Sequence, residues 1–376
     1  MKWKGLISLL LTGVILAGGC SVQPPLYLRT AVKAQVQIQT KANINLMWQV
    51  DWSAKWTYRW DTSVLGPVGY TEPASMRVHI YSLDAQGGHR SHDVKNFMGT
   101  SADIPVFVGT YDLLFHNNDS EVLLFKEDAD NQDIICYTRV ISSGIKTSSQ
   151  VKTRRQKAET ETKSDVRALE QEPVALMPDG LFSLFDAKYV ITDNLDDYQF
   201  IDGKYVKVIE GELSPATYIH LFQINLTNNN GRVVGCFGGA ALTGVASGVD
   251  LQTHVSLPQT ASIPMDVQFD RERDQLGIRA VSYGIPGCNP YDESSVARTE
   301  SAHFLVLSMT YANGTYKNIR VDITDAFRAL PLGGVIDLDL DVDDFPPEGG
   351  GTTSGGGFNA LIDNWKEETG SSTIIN

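Results

Sequence analysis

The chain is poor in cysteine, in basic residues and in long apolar runs, and each shortage excludes something. Its 376 residues include four cysteines, Cys20, Cys136, Cys236 and Cys288, with no C-x-x-C spacing. That is neither a disulfide scaffold nor a zinc site. A Cys236–Cys288 bridge and buried free thiols are both open readings. Lys and Arg number 31 against 45 Asp and Glu, a net charge of −14. An acidic surface argues against nucleic acid and against electrostatic docking on anionic lipid. Beyond the first twenty residues no apolar run is long enough for a membrane helix. Catalytic signatures are missing too: there is no H-E-x-x-H, no P-loop and no G-x-S-x-G. The nearest approach, GVASG at 244–248, puts Ser247 one place too late for a nucleophile elbow. Carboxylates are many, but no spacing singles out a pair, so the chain is read as non-enzymatic, without cofactor or metal.

What is present begins with MKWKGLISLLLTGVILAGGC. Lys2 and Lys4 precede a short apolar core from Leu6 to Ala17, and small residues follow it. This is the pattern of an export signal, too short to span a bilayer comfortably. Cys20 directly behind Ala17-Gly18-Gly19 resembles a bacterial lipobox, in which the thiol takes a diacylglycerol and the new N-terminus is acylated. Each buried acyl CH₂ contributes about 0.8 kcal/mol, so several chains anchor a protein for long times. The expectation is a signal peptide over residues 1–19, lipid on Cys20 and a tether over 20–30. The lipid would be the membrane attachment. The plain alternative is a secreted protein whose Cys20 happens to stand there.

From residue 31 the pattern is period two. AVKAQVQIQT alternates, as do NLMWQVDW at 45–52 and MRVHIYSL at 76–83, with IPVFVGTYDLLFHN and EVLLF after them. Alternation with β-branched and aromatic residues marks half-buried strands, and no amphipathic helix precedes residue 145. A β-sandwich is expected over 31–142. Residues 143–173 are charged and Ser/Thr-rich, either a linker or a long surface loop, with Arg154–Arg155 as a protease-sensitive candidate. Strand patterns resume and give a second sandwich over 174–345. It includes a hairpin on Asn313-Gly314 and a helical turn at DITDAFRAL with Asp325 as a candidate N-cap. The fold class is therefore all-β, two tandem antiparallel β-sandwiches followed by a Gly-rich tail over 346–376. Within that tail Phe358, Ala360 and Ile362 alternate with polar and other residues, and Trp365 follows. This is a strand on a Gly/Ser leash, able to fold back or to pair with another subunit's sheet edge.

Three segments carry competing readings. Trp48, Trp52, Trp56 and Trp60 recur every four residues, as a core stripe or as a stacking platform for sugars. Core packing is the reading for Trp48 and Trp52, while Trp56 and Trp60 stay open. His89 and His92 in GGHRSHD have metal-compatible spacing, but an exposed Gly-bounded loop without a third ligand is expected. VIDLDLDVDD, 335–344, reads as a strand with an apolar inner and a charged outer face. Calcium binding is disfavoured, because alternate residues of a strand lie about 6.6–7 Å apart and no Gly bends the carboxylates together.

Taken in order, PVFVGTYDLLFHNND, LSPATYIHLFQINL, GGAALTGVASGVDL, YKNIRVDITDAF and the late FNALIDNW resemble the fimbrillin-like lipoproteins of Bacteroidales. That is a pilin-related superfamily with two transthyretin-like β-sandwich domains. The likeness spans nearly the whole chain after the leader. It implies a non-enzymatic subunit or accessory of a surface fimbria (anchor, tip or minor component), acting in adhesion and assembly. The implied location is the outer membrane, lipid-anchored, at the cell surface or in the fimbrium. It implies partnership with other fimbrial subunits by strand addition and with a host or bacterial surface ligand. In that superfamily an arginine-specific protease removes the first strand, and another subunit's C-terminal strand fills the groove. Here Phe358, Ala360, Ile362 and Trp365 would be the donor. Arg29 is the candidate processing site, yet it precedes the first strand, so cutting there would release the lipid and open no groove. The next arginine is Arg59. The alternative is a glycan-binding surface lipoprotein of a nutrient-uptake system, which requires Trp56 and Trp60 exposed beside a groove.

Overall fold

The computed structural model describes residues 33–42, 52, 54–127, 133–142, 149–151 and 172–345. In chain order the strands are β1 (Lys33–Ala42), β2 (Ser75–Leu83), β3 (His89–Met98), β4 (Ser101–Phe107), β5 (Gly109–Asn117), β6 (Leu123–Glu127), β7 (Ile134–Thr138) and β8 (Val140–Ser142). Next come β9 (Ser149–Val151), β10 (Val174–Ala175), β11 (Phe182–Ile191), β12 (Gln199–Ile201), β13 (Lys204–Pro215), β14 (Tyr218–Thr227), β15 (Val233–Gly235) and β16 (Ala240–Ala246). Last are β17 (Gly248–Asp250), β18 (Thr260–Met265), β19 (Val267–Asp270), β20 (Gln275–Ser282), β21 (Phe304–Tyr311), β22 (Tyr316–Asp322) and β23 (Gly334–Asp341). Short helices α1 (Thr62–Leu65), α2 (Glu293–Ala297) and α3 (Thr324–Arg328) sit in the connections. The protein is all-β, and no described helix is long and apolar enough to cross a membrane.

The first sheet has the order β3-β2-β5-β11-β13-β1-β4, with β12 paired to β13. Alternation fills its interior: Met76, Val78 and Ile80 from β2 meet Leu113 and Phe115 from β5, Ile104 and Val106 from β4, and Ile209 and Leu213 from β13. The second half stacks β8-β10-β18-β16-β21-β22-β9 against β19-β20-β14-β23. Phe222, Ile224, Leu242, Ile263, Ile278, Leu305, Leu307, Ile336, Leu338 and Leu340 lie in the core between them. A small sheet, β17-β7-β6, packs Leu123, Ile134, Cys136 and Val249 with Leu114 of the first sheet and Tyr283 of the second half.

The order of strands in space differs from their order in the chain. Most ladders are antiparallel, but β1–β13, β14–β23, β10–β18 and β9–β22 run parallel. A parallel pair cannot be closed by a tight turn, so each of these joins distant segments. The expected boundary at 173/174 falls ahead of β11 and β13, which complete the first sheet through β5 (Ser183↔His116 to Ile191↔Gly109) and β1. In the other direction β8, expected in the first sandwich, pairs with β10 of the second half. Composition located the charged segment, but composition cannot say which ladder a strand joins after it.

Local expectations can be compared directly. The Tyr111 hydroxyl donates to Phe107 O at 2.7 Å, closing the corner into β5. β21 and β22 meet over Asn313-Gly314, where Gly314 has φ 80°. At α3 the N-cap is Ile323 without a side-chain bond, and Asp325 lies inside the first turn. The Thr324 amide is instead satisfied by Asp322, at 2.9 Å. β23 is the strand expected of VIDLDLDVDD, and its carboxylates are held by amides of its neighbour. Gln223 donates to Asp337, Asn225 to Asp339 and Asn228 to Asp341, at 2.9, 2.9 and 3.0 Å. Cross-strand amides spread these carboxylates along the sheet face, and they do not converge on a cation. Cys136, Cys236 and Cys288 are buried free thiols, which closes the Cys236–Cys288 bridge as a reading.

Candidate assembly site

β1 is the next-to-edge strand of the first sheet, seated between β13 and the edge strand β4. Its residues 35–42 pair in parallel with 206–213 of β13, and its residues 33–39 pair antiparallel with 101–107 of β4. In the described sheet nothing else links β4 to β13. Its sequence, KAQVQIQTKA, is polar and apolar in alternation, as a two-sided main-chain ladder tolerates. Taking β1 away would bare two strand edges at once, the arrangement on which strand addition acts.

The chain after β1 does not return to the first sheet directly. Residue 52 and residues 54–70 form a strap laid over the outer face of β19-β20-β14-β23. Trp52, Trp56 and Trp60 belong here, and one helical turn joins the first two: the Trp56 amide donates to Trp52 O at 2.9 Å, whereas the Trp60 amide donates to Tyr58 O. Of the strand expected over 45–52, Trp52 lies in a helical turn, and residues 45–51, Trp48 among them, lie outside the described residues. Trp52, Trp56, Trp60 and Tyr70 are half-buried on Val68, Ile219, Leu221, Val281 and Val335. β14 is buried almost throughout, His220 and Gln223 included, because it is covered on both faces, by the core on one and by the strap on the other. Tyr58 is buried at 6% exposure, and burial pushes its phenol up to about 12. Its ring occupies the place of a side chain at Gly277, where a Cβ would overlap the ring carbons.

Polar contacts hold the strap as well. Gln223 accepts from the Thr57 amide at 2.9 Å. Gln268 accepts from the Asp61 amide and donates to Asp61 O, both at 2.9 Å. Arg59 grips Asp270 through two nitrogens (2.9 and 3.2 Å) and reaches Glu272 at 2.9 Å. Further along, Arg279 Nε donates to Val68 O at 2.8 Å. A cleft of about 370 Å³ opens beside the strap's end, lined by Tyr70, Asn117, Asp119, Asp179 and Arg279. Its carboxylates are already engaged, Asp119 by Asn117 and Asp179 by Ser120.

Several sequence candidates do not meet here. Cys20, Arg29, Phe358, Ala360, Ile362 and Trp365 lie outside the described residues. His89 and His92 were expected on a loop, but they stand in β3, and His92 faces His79 of β2 at 3.0 Å. Among the described residues no three His, Cys, Asp or Glu side chains are arranged to hold a metal ion. The residues that receive the strap, Gln223, Gln268, Asp270 and Gly277, were missed. Gly277 carried a readable signal, since a glycine inside a strand pattern marks a close approach by another group.

Among solved structures the chain is similar to a candidate adhesin from Bacteroides ovatus ATCC 8483, at 13% identity and a TM-score of 0.48 over 84% of this chain and 94% of that one. It is similar to the fimbrial anchor protein Mfa2 from Porphyromonas gingivalis at 11% identity, TM-score 0.40, covering 82% and 90% of the two chains. It is also similar to candidate polysaccharide-binding proteins (DUF1812) from Bacteroides thetaiotaomicron VPI-5482 at 6% identity, TM-score 0.42, covering 82% and 91%. No curated protein matches the sequence. The family described as a domain of unknown function (DUF5119) matches residues 65–266, from the end of α1 through β18. That span is more than half of the chain, and the protein belongs to this family.

Proposed function

We propose that the chain is a non-enzymatic, lipid-anchored surface protein that serves fimbria-associated adhesion and assembly and keeps its first strand. The observation that supports this is β1, a strand seated by main-chain pairing between β4 and β13 and followed by a strap fastened to the second half. Arg29 precedes β1, so cleavage there would shed the Cys20 lipid and leave the seat filled. Cleavage after Arg59 would have to detach Trp52 and Trp56 from the second half as well. Both features suit an anchor, tip or minor component better than a stalk subunit that loses its first strand. The tail residues Phe358, Ala360, Ile362 and Trp365 then serve as a donor strand for another subunit. The glycan-binding reading needs Trp56 and Trp60 open beside a groove, whereas both are half-buried against the β14–β20 face.

Mass spectrometry of the chain from native cell envelopes tests the proposal. The expected product begins at an acylated Cys20. A mature form beginning at Thr30 or later, found in assembled fibres, would overturn the retained-anchor reading. A glycan array that gives a strong, Trp56-dependent signal would favour the alternative.

A further inference from the structure

A guanidinium and a carboxylate line the cleft at the strap's end without pairing with each other. The cleft's volume of about 370 Å³ is at the lower end of the roughly 300–1,000 Å³ of small-molecule sites. Three distant segments build it: the strap's end, the turn after β5 and the approach to β11, with Arg279 of β20 among them. Arg279 is half-buried and fixed at one point, where Nε donates to Val68 O at 2.8 Å. Its two terminal nitrogens have no hydrogen-bond partner among the described residues. Asp179 is exposed, and its Oδ2 accepts from the Ser120 hydroxyl at 2.7 Å. Its Oδ1 accepts nothing among the described residues.

The frame around these two groups is already satisfied. The Asn117 amide donates to Asp119 and to Gly180 O, at 2.9 and 3.0 Å, and accepts from the Phe182 amide at 2.8 Å. The Tyr70 hydroxyl donates to Thr217 O at 2.5 Å, and the Tyr70 ring meets Phe182 edge-on with centroids 5.2 Å apart. Thr217 in turn donates to Asp179 O at 3.0 Å, which holds the backbone that carries the carboxylate. An open donor fork and an open acceptor oxygen therefore stand on fixed supports in one cleft. Burial lowers the pKa of Arg279, with Tyr70 and Asp179 opposing. The cation pays for its desolvation without a direct partner, and a ligand oxygen on the fork would relieve that cost.

Charge selects the ligand. Asp119 and Asp179 outnumber Arg279, so the lining carries one net negative charge. A carboxylate or phosphate would reach the guanidinium but face two carboxylates, and an ammonium would face the guanidinium. A hydroxyl group meets both demands: its oxygen accepts from the fork and its hydrogen goes to a carboxylate. Leu65, Pro67 and Pro73 add apolar wall for the C–H face of a ring. We propose that this cleft binds a neutral sugar residue of a surface glycan. The Arg279 terminal nitrogens donate to neighbouring hydroxyl oxygens, and Asp179 Oδ1 accepts from a hydroxyl. This rests on the adhesion reading above and gives it a ligand class. Trp56 and Trp60 take no part in the lining.

The test is saturation-transfer NMR and calorimetry of the full chain with methyl glycosides of mannose, galactose, glucose and fucose, with galacturonic acid as the charged control. At least one neutral glycoside is expected to bind at millimolar affinity, and galacturonic acid more weakly than the galactoside. Arg279→Lys keeps the charge but loses the fork, and should weaken binding about tenfold. Asp179→Asn, on an exposed side chain that leaves folding intact, should weaken it several-fold, and Trp56→Phe should leave it unchanged. No binding by any of the four glycosides, equal affinity in wild type and Asp179→Asn, or tighter binding of galacturonic acid would overturn the proposal. A signal lost in Trp56→Phe and kept in Asp179→Asn would place the sugar elsewhere and overturn it too. Failure here with an acylated Cys20 intact in native envelopes strikes the cleft alone. A mature form beginning at Thr30 strikes the retained-anchor reading and leaves every cleft residue in place.

Discussion

Gly277 and Tyr58 offer a sharp test of the strap. Gly277 lies within β20, and the ring of Tyr58 fills the space its side chain would need. In Gly277→Ala the strand itself gains, because glycine in a strand interior costs roughly 0.5–1 kcal/mol relative to alanine. The new methyl must displace a buried ring, and overpacking of that kind costs about 1–3 kcal/mol. The net expectation is destabilisation by about 1–2 kcal/mol. Tyr58→Ala removes the ring and should cost about 3 kcal/mol, the low end for a buried aromatic. With the ring gone, Gly277→Ala has nothing to displace and only the strand term survives. Its sign should then reverse, to a gain of up to roughly 1 kcal/mol. The coupling energy of the double-mutant cycle should be about 2–3 kcal/mol, as for residues in direct contact. Urea denaturation read by tryptophan emission is the assay. Trp56 and Trp60 are well placed to report it, with ring centroids 5.6 and 6.4 Å from Tyr58. If Gly277→Ala costs the same with and without Tyr58, the strap does not occupy that glycine's space and the reasoning fails.

Arg59 is exposed yet fastened by Asp270 and Glu272. An arginine-specific protease should cut after it slowly in the native chain and several-fold faster in the Asp270→Ala/Glu272→Ala variant, scored by N-terminal sequencing of the fragments. His220 and His303 flank Phe327 in the second core, with ring centroids 4.2 and 4.6 Å away. Burial lowers His220 to about 4; burial first, with Arg328 and His220 adding, lowers His303 to about 3. Their folded values lie below the unfolded value near 6.5, so the stability they carry is fully present above about pH 6.5. It is lost as pH falls through their folded values, at up to about 1.4 kcal/mol per pH unit for each histidine. Urea midpoints should accordingly fall between pH 7 and pH 5, and His220→Gln should flatten that slope. A single nick at Arg154–Arg155 should leave the two fragments co-eluting in size exclusion, since β11 and β13 from one fragment complete the sheet of the other; separation in native buffer would contradict that topology.

Much of the fold was legible because a half-buried strand writes its period into the sequence. MRVHIYSL became β2 with Met76, Val78 and Ile80 inward, and VIDLDLDVDD became β23 with its aspartates outward. Tyr111 and Asn313-Gly314 were legible for the same local reason, a turn chemistry contained in a few residues. What alternation cannot carry is partnership. β11 and β23 look equally strand-like, and only long-range pairing assigns the first to β5 and the second, in parallel, to β14. The four-residue tryptophan spacing fits a strand face as well as a helical turn, and of its described steps only that from Trp52 to Trp56 is a helical turn. The cleft was hidden more completely. Tyr70, Asp179 and Arg279 lie far apart in the chain, and only the packing of the strap's end against both halves brings them to one place.

The interleaving of the two halves also bears on how the chain can serve assembly. In a simple tandem, a first strand could leave one sandwich without consequence for the other. Here β1 is followed by a strap whose aromatic side chains form the outer cover of β14 and β20, and β14 also forms part of the second core. Pulling β1 out therefore strains an attachment that helps to bury the centre of the second half. Each tryptophan of the strap is only half-buried, and its polar bonds are few and partly exposed, so the strap is weaker than the cores it joins. That ordering of strengths makes β1 and the strap the low-stability end of the molecule. A pulling force on the N-terminus would meet the eight-residue parallel ladder with β13 and the ladder with β4 together. A force along paired strands loads their hydrogen bonds in shear and in parallel, so the two ladders would share the load.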